Sequence, residues 1–128
     1  MPNNLTNAAE NLILDHFLGV ANYAFDSTVF VALYTVAPTD STSGTEVTGG
    51  SYARQAITFA AASGGATSNT TDVDFTGMPG PVTTVAVAIH TASTGGTMLM
   101  YGTLTTPKTT DAGDTLRIAA TDLDITID

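Results

Sequence analysis

The sequence VTTVAVAIHTASTGGTMLMYGTL, residues 82–104, decides the fold class of this chain. In its first part Val85, Val87 and Ile89 alternate with mostly small residues, which is the pattern of a β-strand. The sequence ASTGG in the middle is a short turn, and a second apolar strand follows it. Two strands joined by so short a turn pair with each other, so the stretch predicts an antiparallel hairpin.

Further strand candidates lie on both sides of this hairpin. Residues 28–36, TVFVALYTV, are apolar on both alternating sets, as expected of a strand that is covered on both faces. Shorter candidates occupy residues 52–59, 72–75, 115–120 and 123–128. With one N-terminal α-helix and about seven strands at short spacing, the chain is predicted to be mainly β, as an antiparallel β-sandwich or a partly closed barrel.

Two long segments lack a strand pattern. Residues 38–50 are rich in Thr, Ser, Gly and acidic residues, and residues 105–114 end in Ala-Gly-Asp. A third segment, GMPGP at residues 77–81, is a cluster of breakers that no regular element crosses. We expect the two long segments to be exposed loops that face a partner, because loops on a rigid scaffold commonly carry binding residues.

A helix is predicted at the N-terminus. Apolar residues fall at helical spacing along one side of it: Leu5, Ala9, Ile13, Leu14, Phe17 and Leu18. Thr6 or Asn7 can cap its start, and Gly19 is suited to end it. Two interpretations remain open at this point. The helix packs on the sheet as part of the core, or it docks on a neighbouring subunit.

The chain has 128 residues, which fits a single domain at 1–128, with an N-terminal helix or arm at 1–20 and a β-sandwich at 28–128. The absence of Cys excludes a disulfide scaffold and a thiolate zinc site. The net charge is −9 with only three basic residues, which argues against nucleic acid or an anionic membrane as a partner. No apolar run reaches the ~18 residues of a membrane span. The N-terminus lacks the basic region of a secretory signal.

Few side chains in the sequence are suited to catalysis. His90 falls in a strand and His16 lies beside Asp15 on the helix, but no G-x-S-x-G nucleophile motif accompanies them. Both histidines are therefore expected to be surface residues or hydrogen-bonded structural residues. We expect a protein that is not an enzyme, with no catalytic, cofactor-binding or metal-binding residues and no cofactor.

Carboxylates occur in close pairs along the chain, and these pairs are Asp72 with Asp74, Asp111 with Asp114, and Asp122 with Asp124. Clustered oxygen ligands suit calcium, but the spacing of an EF-hand is absent. Acids that alternate with apolar residues are typical of a strand with one solvated face, so this is the expected role, with incidental calcium as the alternative. Three aromatic residues are either interface anchors or core or rim residues, namely Tyr52, Phe75 and Tyr101.

Five segments follow one another in a characteristic order: LDHFLG at 14–19, VFVALYTVAPTD at 29–40, GTEVTGGSYARQAITF at 44–59, GGTMLMYGTL at 95–104 and AGDTLRI at 112–118. Together they resemble a family of small tailed-phage virion proteins, whose members are described as tail-fibre-like or as capsid decoration (cement) proteins. The resemblance covers nearly the whole chain. One departure is GMPGPVTTV, because fibre-like members often carry a bulky aromatic residue near this turn.

The resemblance implies a bacteriophage virion structural protein. A short chain without a long shaft suits capsid decoration, in which a cement protein binds the major capsid protein on the outer shell and stabilises it. The alternative is a tail or tail-fibre component that attaches to the baseplate, to other virion proteins or to the host surface. A third hypothesis, from a different class, is a carbohydrate-binding or hydrolytic β-sandwich.

The resemblance also carries expectations about assembly and location. Closed cyclic symmetry is common among oligomers and capsids have three-fold axes, so a homo-oligomer is expected, with a trimer favoured. The protein would be synthesised in the host cytoplasm and would reside in the virion, on the capsid surface.

Overall fold

The computed structural model describes residues 4–24 and 27–127 of the chain. In this part the chain is mainly β, with one helix and ten strands, and every strand pair is antiparallel. The helix is α1 (Asn7–Phe17). The strands in chain order are β1 (Asn4–Leu5), β2 (Val29–Val36), β3 (Thr45–Glu46), β4 (Gln55–Ile57), β5 (Ala66–Ser68), β6 (Val73–Phe75), β7 (Val82–His90), β8 (Met98–Thr110), β9 (Leu116–Ile118) and β10 (Asp124–Thr126).

A six-stranded sheet forms the centre of the molecule. Its order is β1-β8-β7-β2-β3, and β4 pairs with the first half of β2. Strands β7 and β8 are the predicted hairpin, in which Val87 lies opposite Gly102. Strand β2 is buried on both faces from Val31 to Tyr34. The predictions of a hairpin and of a doubly covered strand are both confirmed.

The second strand of the hairpin is longer than predicted. Strand β8 continues to Thr110, so the expectation of a loop at 105–114 is wrong for most of that segment. Residues 104–107 bulge opposite Val85, and pairing with β7 resumes at Lys108. The sequence pattern missed this extension because its side chains are polar on both faces and no apolar alternation marks it.

Two other boundaries differ from the sequence-based expectation. The segment 38–50 is not entirely loop, because β3 lies within it and Val47 is buried. The candidate strand at 52–59 narrows to β4, and Phe59 forms only an isolated bridge. The remaining candidates are confirmed as β6, β9 and β10, apart from Asp128, which lies outside the described residues.

The two small sheets, β5–β10 and β6–β9, pack against one face of the central sheet. The core lies between these layers, and the architecture is sandwich-like without closing into a barrel. Its buried residues come from all three sheets and from the connecting segments: Val31, Leu33, Val47, Ile57, Val73, Phe75, Met78, Val87, Ile89, Met100, Leu116, Leu123 and Ile125.

Met78 fills the core at the turn where the bulky aromatic residue is absent. Its side chain is only 1% exposed. Main-chain hydrogen bonds tie this turn to the segment before β9: the N–H of Met78 donates to the carbonyl of Asp114 at 3.0 Å, and the N–H of Gly113 donates to Met78 at 2.9 Å. A flexible thioether side chain adapts to an irregular gap, so the departure from the family pattern leaves the core packed.

The opposite face of the central sheet carries small residues and is covered by a chain segment. Ala32, Ala86 and Ala88 are fully buried there together with Tyr34. The segment 37–44 follows β2 along this face. Small alanine side chains leave room for a backbone to lie close to the sheet.

Hydrogen bonds fix this covering segment to the hairpin and to the helix. The hydroxyl of Tyr101 donates to the carboxylate of Asp40. The N–H of Asn7 donates to the carbonyl of Asp40 at 3.3 Å. Asp40 therefore links β8 to the first turn of α1.

The helix begins with Thr6, one of the two predicted caps. The N–H of Ala9 donates to the Thr6 hydroxyl oxygen at 3.2 Å, which satisfies one free donor of the first turn. The same hydroxyl donates to the carbonyl of Met98 at 2.7 Å and so ties the helix to β8. Leu5 lies in β1 and not in the helix, which corrects the start of the predicted apolar stripe.

Candidate interaction surfaces

The most clearly built surface feature lies at the end of the central sheet where the β7–β8 turn projects. A groove of about 430 Å³ opens there, and we call it the turn groove. Its lining residues are Tyr34, Ser43, Gly44, Glu46, Arg54, His90, Gly95, Gly96 and Met98. A second depression of about 420 Å³ adjoins it and shares Glu46, Arg54 and Gly95.

Arg54 and Glu46 form the wall between these two depressions. The guanidinium donates from Nε to Oε2 at 3.0 Å and from one terminal nitrogen to Oε1 at 2.9 Å, which is a bidentate pair. The other terminal nitrogen of Arg54 donates to the carbonyls of Ala92 and Gly95 at 3.0 and 2.9 Å. Arg54 thereby attaches the β7–β8 turn to β3. The side chains of Arg54 and Glu46 are only 11% and 24% exposed.

Tyr52 completes the set of groups around Glu46. Its hydroxyl donates to Oε2 of Glu46 at 2.9 Å and accepts the N–H of Leu33 at 2.9 Å. Burial alone would raise the pKa of Glu46, but the hydrogen bonds from Arg54 and Tyr52 outweigh burial and hold this pKa below its usual value. Burial raises the pKa of Tyr52 well above its usual range. The carboxylate is therefore charged and fully engaged.

His90 and Tyr34 form the floor of the turn groove. Nε2 of His90 lies 2.7 Å from the Tyr34 hydroxyl, and the two ring planes are nearly parallel, with an interplanar angle of 9°. Burial, followed by the nearby charge of Arg54, lowers the pKa of His90 to about 4, so the imidazole is neutral at pH 7. Burial also raises the pKa of Tyr34 to about 12.

The polar groups of the turn groove act on one another. Glu46, Arg54 and Tyr52 direct their hydrogen bonds to each other and to the main chain. The network holds the exposed β7–β8 turn in a fixed position at one end of the sandwich. Its physical effect is to present a pre-organised surface, which lowers the entropy cost of binding a partner.

An apolar cleft of about 270 Å³ lies on the core side of the central sheet. Its inner end reaches Leu33 and Val87, and its walls include Leu104, Leu116 and Ile118. Residues of the β8 bulge, Leu104 to Thr106, form part of the rim of this cleft.

The mouth of this cleft carries charged side chains of both signs, Lys108, Arg117 and Asp122. Arg117 is engaged by Asp74 through hydrogen bonds of 2.7 and 3.0 Å, and Asp72 lies 3.5 Å away. Because Asp74 and Asp72 neutralise Arg117 from beside the cleft, the mouth does not favour an anionic ligand.

The carboxylate pairs have structural partners in the β6–β9 region. Asp74 pairs with Arg117 across the two strands. Asp72 accepts the N–H of Ala120 at 2.8 Å. Asp114 accepts the N–H of Asp111 at 2.8 Å.

The third pair has a different setting. Asp122 and Asp124 are exposed, as expected of a solvated strand face. Across residues 4–24 and 27–127, no group of three or more His, Asp or Glu side chains is arranged to hold a metal ion.

The three aromatic candidates have different environments. Phe75 is 1% exposed and stacks on Tyr52 at a centroid distance of 5.9 Å, so both belong to the core and its border. Tyr101 is half-buried, and its hydrogen bond to Asp40 raises its pKa to about 12. His16, on the helix, accepts the N–H of Tyr23 through Nδ1 at 3.3 Å.

The C-terminal end of α1 carries a second surface, which we call the helix-end patch. It consists of Leu14, Phe17, Leu18 and Val20, with exposed fractions of 55%, 75%, 73% and 74%. Ala9 is the buried residue of α1, so the first half of the helix packs on the protein and its end projects. Packing on the sheet, the first of the two interpretations, therefore holds for Ala9 but not for Leu14, Phe17 and Leu18.

The fold and these surfaces define a class of protein: a small antiparallel β-sandwich with pre-ordered turns and an exposed apolar helix end. A family model described as podophage GP4 fiber I protein gp80 matches residues 4–126. Since the match spans nearly the whole chain, the chain belongs to this family and is a phage virion structural protein, fibre-like in kind. The resemblance to small tailed-phage virion proteins is thereby confirmed.

Two further observations accompany the family match. No curated protein matches the chain. Within residues 4–24 and 27–127, α1 is too short and too polar to cross a membrane.

Sequence reasoning missed the network beneath the turn groove. The sequence pattern predicts a loop at Glu46 and a strand at Arg54. Their spacing of eight residues does not indicate that the two side chains form an ion pair. One available signal was the small number of basic residues, since the chain has only three. An arginine that lies in an apolar stretch is expected to pair with a buried partner. The second signal was His90, a polar residue in the hairpin that decides the fold, which indicated a polar site next to the β7–β8 turn.

Proposed function

We propose that this protein is a component of the phage tail fibre, where it attaches to other virion proteins and helps to present the fibre to the host surface. The observation that carries the proposal is the match to a fibre protein family over residues 4–126. That description favours the tail-fibre alternative over the capsid decoration that the chain length suggested. The major capsid protein is accordingly not proposed as the partner.

The proposed mechanism is binding without chemistry. Partners would be held by burial of apolar surface and by main-chain hydrogen bonds, with no covalent bond made or broken, so we propose that the protein is not an enzyme. The turn groove supports this function because its charged groups hold the binding segments in place. The net charge of −9 favours protein partners over nucleic acid or anionic lipid.

We further propose that copies of the chain assemble with each other. Fibres are built from repeated chains, and closed cyclic symmetry is the common solution for homo-oligomers. A trimer is the first arrangement to test.

The test measures copy number and location in purified virions. Quantitative mass spectrometry against the major capsid protein is expected to give a low ratio, and antibody labelling in electron micrographs is expected at the tail. A ratio near one copy per capsid subunit, with labelling confined to the head, would instead establish capsid decoration. Absence from purified particles would overturn both hypotheses about the virion.

A further inference from the structure

We infer that copies of this chain contact each other through the helix-end patch, Leu14, Phe17, Leu18 and Val20. These four residues lie within seven positions of the chain and are all more than half exposed. Only two other large apolar residues in the described part are more than half exposed, Val36 and Ile127. The patch is thus the main concentration of exposed apolar surface on the described part of the chain.

The patch is held in a fixed conformation by its own main chain. After α1 ends, the N–H of Leu18 donates to Leu14 at 2.9 Å, and the N–H of Val20 donates to the carbonyl of Asp15 at 2.9 Å. Gly19, between them, has φ of +73°, the left-handed conformation that closes a helix end. These bonds keep the apolar side chains outward, so a partner would meet an ordered surface with little entropy cost.

The apolar area of the patch agrees with that of a small self-association interface. At the observed exposures the four side chains present roughly 400 Å² of apolar surface. Two patches together would remove roughly 800 Å² from water. Specific interfaces bury at least about 1,200 Å² in total, and about 65% of this area is apolar in homodimers. The patch thus supplies about the apolar share that the smallest stable interfaces need.

The patch is a place where a second copy would meet little charge repulsion. Copies that each carry a net charge of −9 repel over most of their surface, so they can approach where acids are few. Residues 14–20 contain one acid, Asp15. A basic partner would gain more electrostatic binding energy at the acidic strand faces, around Asp122 and Asp124, than at this patch. We therefore assign the patch to contacts between copies, arranged patch to patch about a rotation axis.

This inference rests on the proposed assembly of copies, and it is tested with the purified full-length chain. Light scattering after size-exclusion chromatography, over a hundredfold range of concentration, gives the mass of the wild-type chain against the 13.0 kDa of one copy. We expect an oligomer for the wild type. We expect a shift to the mass of one copy for the double variant Phe17→Ser/Leu18→Ser.

The matched control is Val36→Ser, which removes an apolar side chain of similar exposure from another part of the surface. It should keep the oligomeric mass. Circular dichroism and thermal unfolding establish that each variant is folded. If the double variant is folded and retains the wild-type mass, the patch is not the contact.

A second experiment keeps the inference testable if the double variant fails to fold. The chain has no Cys, so a single Leu18→Cys variant carries one thiol. Oxidation should link two copies of this variant through the new thiol, and should link far fewer copies of a Val36→Cys variant, because Val36 has a similar exposure but lies at the end of β2, outside the patch. Equal linkage of the two variants would overturn the assignment.

The tests of location and of assembly fail in different ways. A wild-type chain that has the mass of one copy at every concentration would overturn the contact between copies, while labelling at the tail would still support the fibre proposal. Labelling of the head would overturn the fibre proposal without affecting the mass measurement.

Discussion

The hydroxyl of Tyr34 and Nε2 of His90 lie 2.7 Å apart on neighbouring strands, and both residues are almost fully buried. Tyr34 comes from the second half of β2 and His90 from the last position of β7, 56 residues further along the chain. The contact places a titratable group beside the network that holds the β7–β8 turn. Its consequences reach both the stability of the fold and the shape of the turn groove.

The free energy of unfolding should fall on mild acidification. The pKa of His90 is lowered to about 4 in the folded protein, chiefly by burial, whereas it is near 6.5 in an unfolded chain. Between these values the unfolded state binds a proton that the folded state does not bind, so stability is lost as the pH falls through this window. We expect a loss of about 2 kcal/mol between pH 7.5 and pH 5, measured by urea unfolding.

Two variants separate the His90 contribution from other titrations. His90→Gln should show a much smaller loss over the same range, because no imidazole is left to protonate at this position. Tyr34→Phe, which removes the hydroxyl beside Nε2 but leaves the buried imidazole in place, should keep most of the pH-dependent loss. An unchanged pH dependence in His90→Gln would show that another group is responsible.

Loss of the Arg54 guanidinium should strongly destabilise the protein. Arg54→Met leaves the carboxylate of Glu46 largely buried without its charged partner, and breaking such a pair costs about 3 kcal/mol. The matched control is Arg117→Met, because Arg117 forms the same kind of pair with Asp74 at an exposed site and should contribute little. Chemical denaturation of both variants measures the difference, and similar losses would contradict a special role for the buried pair.

Replacement of Thr84 by valine should stabilise the protein. The side chain is 0% exposed, and its hydroxyl oxygen has no hydrogen-bond partner in the described part of the structure. Thr84→Val removes this buried polar atom while the β-branched shape is kept, so we expect a gain of about 1 kcal/mol. Its neighbour provides the control, because the Thr83 hydroxyl bonds that of Thr109 at 2.9 Å at an exposed position and Thr83→Val should give no gain. A loss of stability in Thr84→Val would contradict the prediction.

The β7–β8 turn should tolerate the substitution Gly95→Ala better than Gly96→Ala. Both glycines have positive φ, +62° and +70°, so alanine is strained at either position by about 1 kcal/mol. At Gly96 a Cβ atom would also lie 2.7 Å from Oγ1 of Thr91 and 2.9 Å from Cβ of Ala92, whereas at Gly95 it would meet no atom within 4 Å. Thermal unfolding should therefore show a larger loss for Gly96→Ala than for Gly95→Ala. Equal losses would indicate that the turn rearranges.

The local pattern of apolar residues was sufficient to predict much of the architecture. The alternation of Val85, Val87 and Ile89 followed by a short turn fixed the hairpin, because strands joined by few residues pair with each other. The doubly apolar β2 was recognisable in the same way. These features depend on residues that are close together in the sequence. The membership of the chain in a fibre protein family is also read from its sequence.

The tertiary structure alone decided which side chains meet. Arg54 reaches the carbonyls of Ala92 and Gly95 about forty residues away, and His90 meets Tyr34 across the sheet. No local pattern encodes such pairs, because they depend on the order of strands and on the register between them. The extension of β8 to Thr110 was hidden for a related reason, since its pairing with β7 resumes only after a bulge.

Helix α1 shows which features the sequence pattern predicts and which only the tertiary structure decides. Spacing alone placed Ala9, Leu14, Phe17 and Leu18 on a helix, and it left open whether this apolar side packs on the sheet or docks on another subunit. Only the packed structure separates them, with Ala9 buried and the last three exposed. An amphipathic pattern reports that a surface avoids water, but what covers that surface depends on how far the sheet extends beneath the helix.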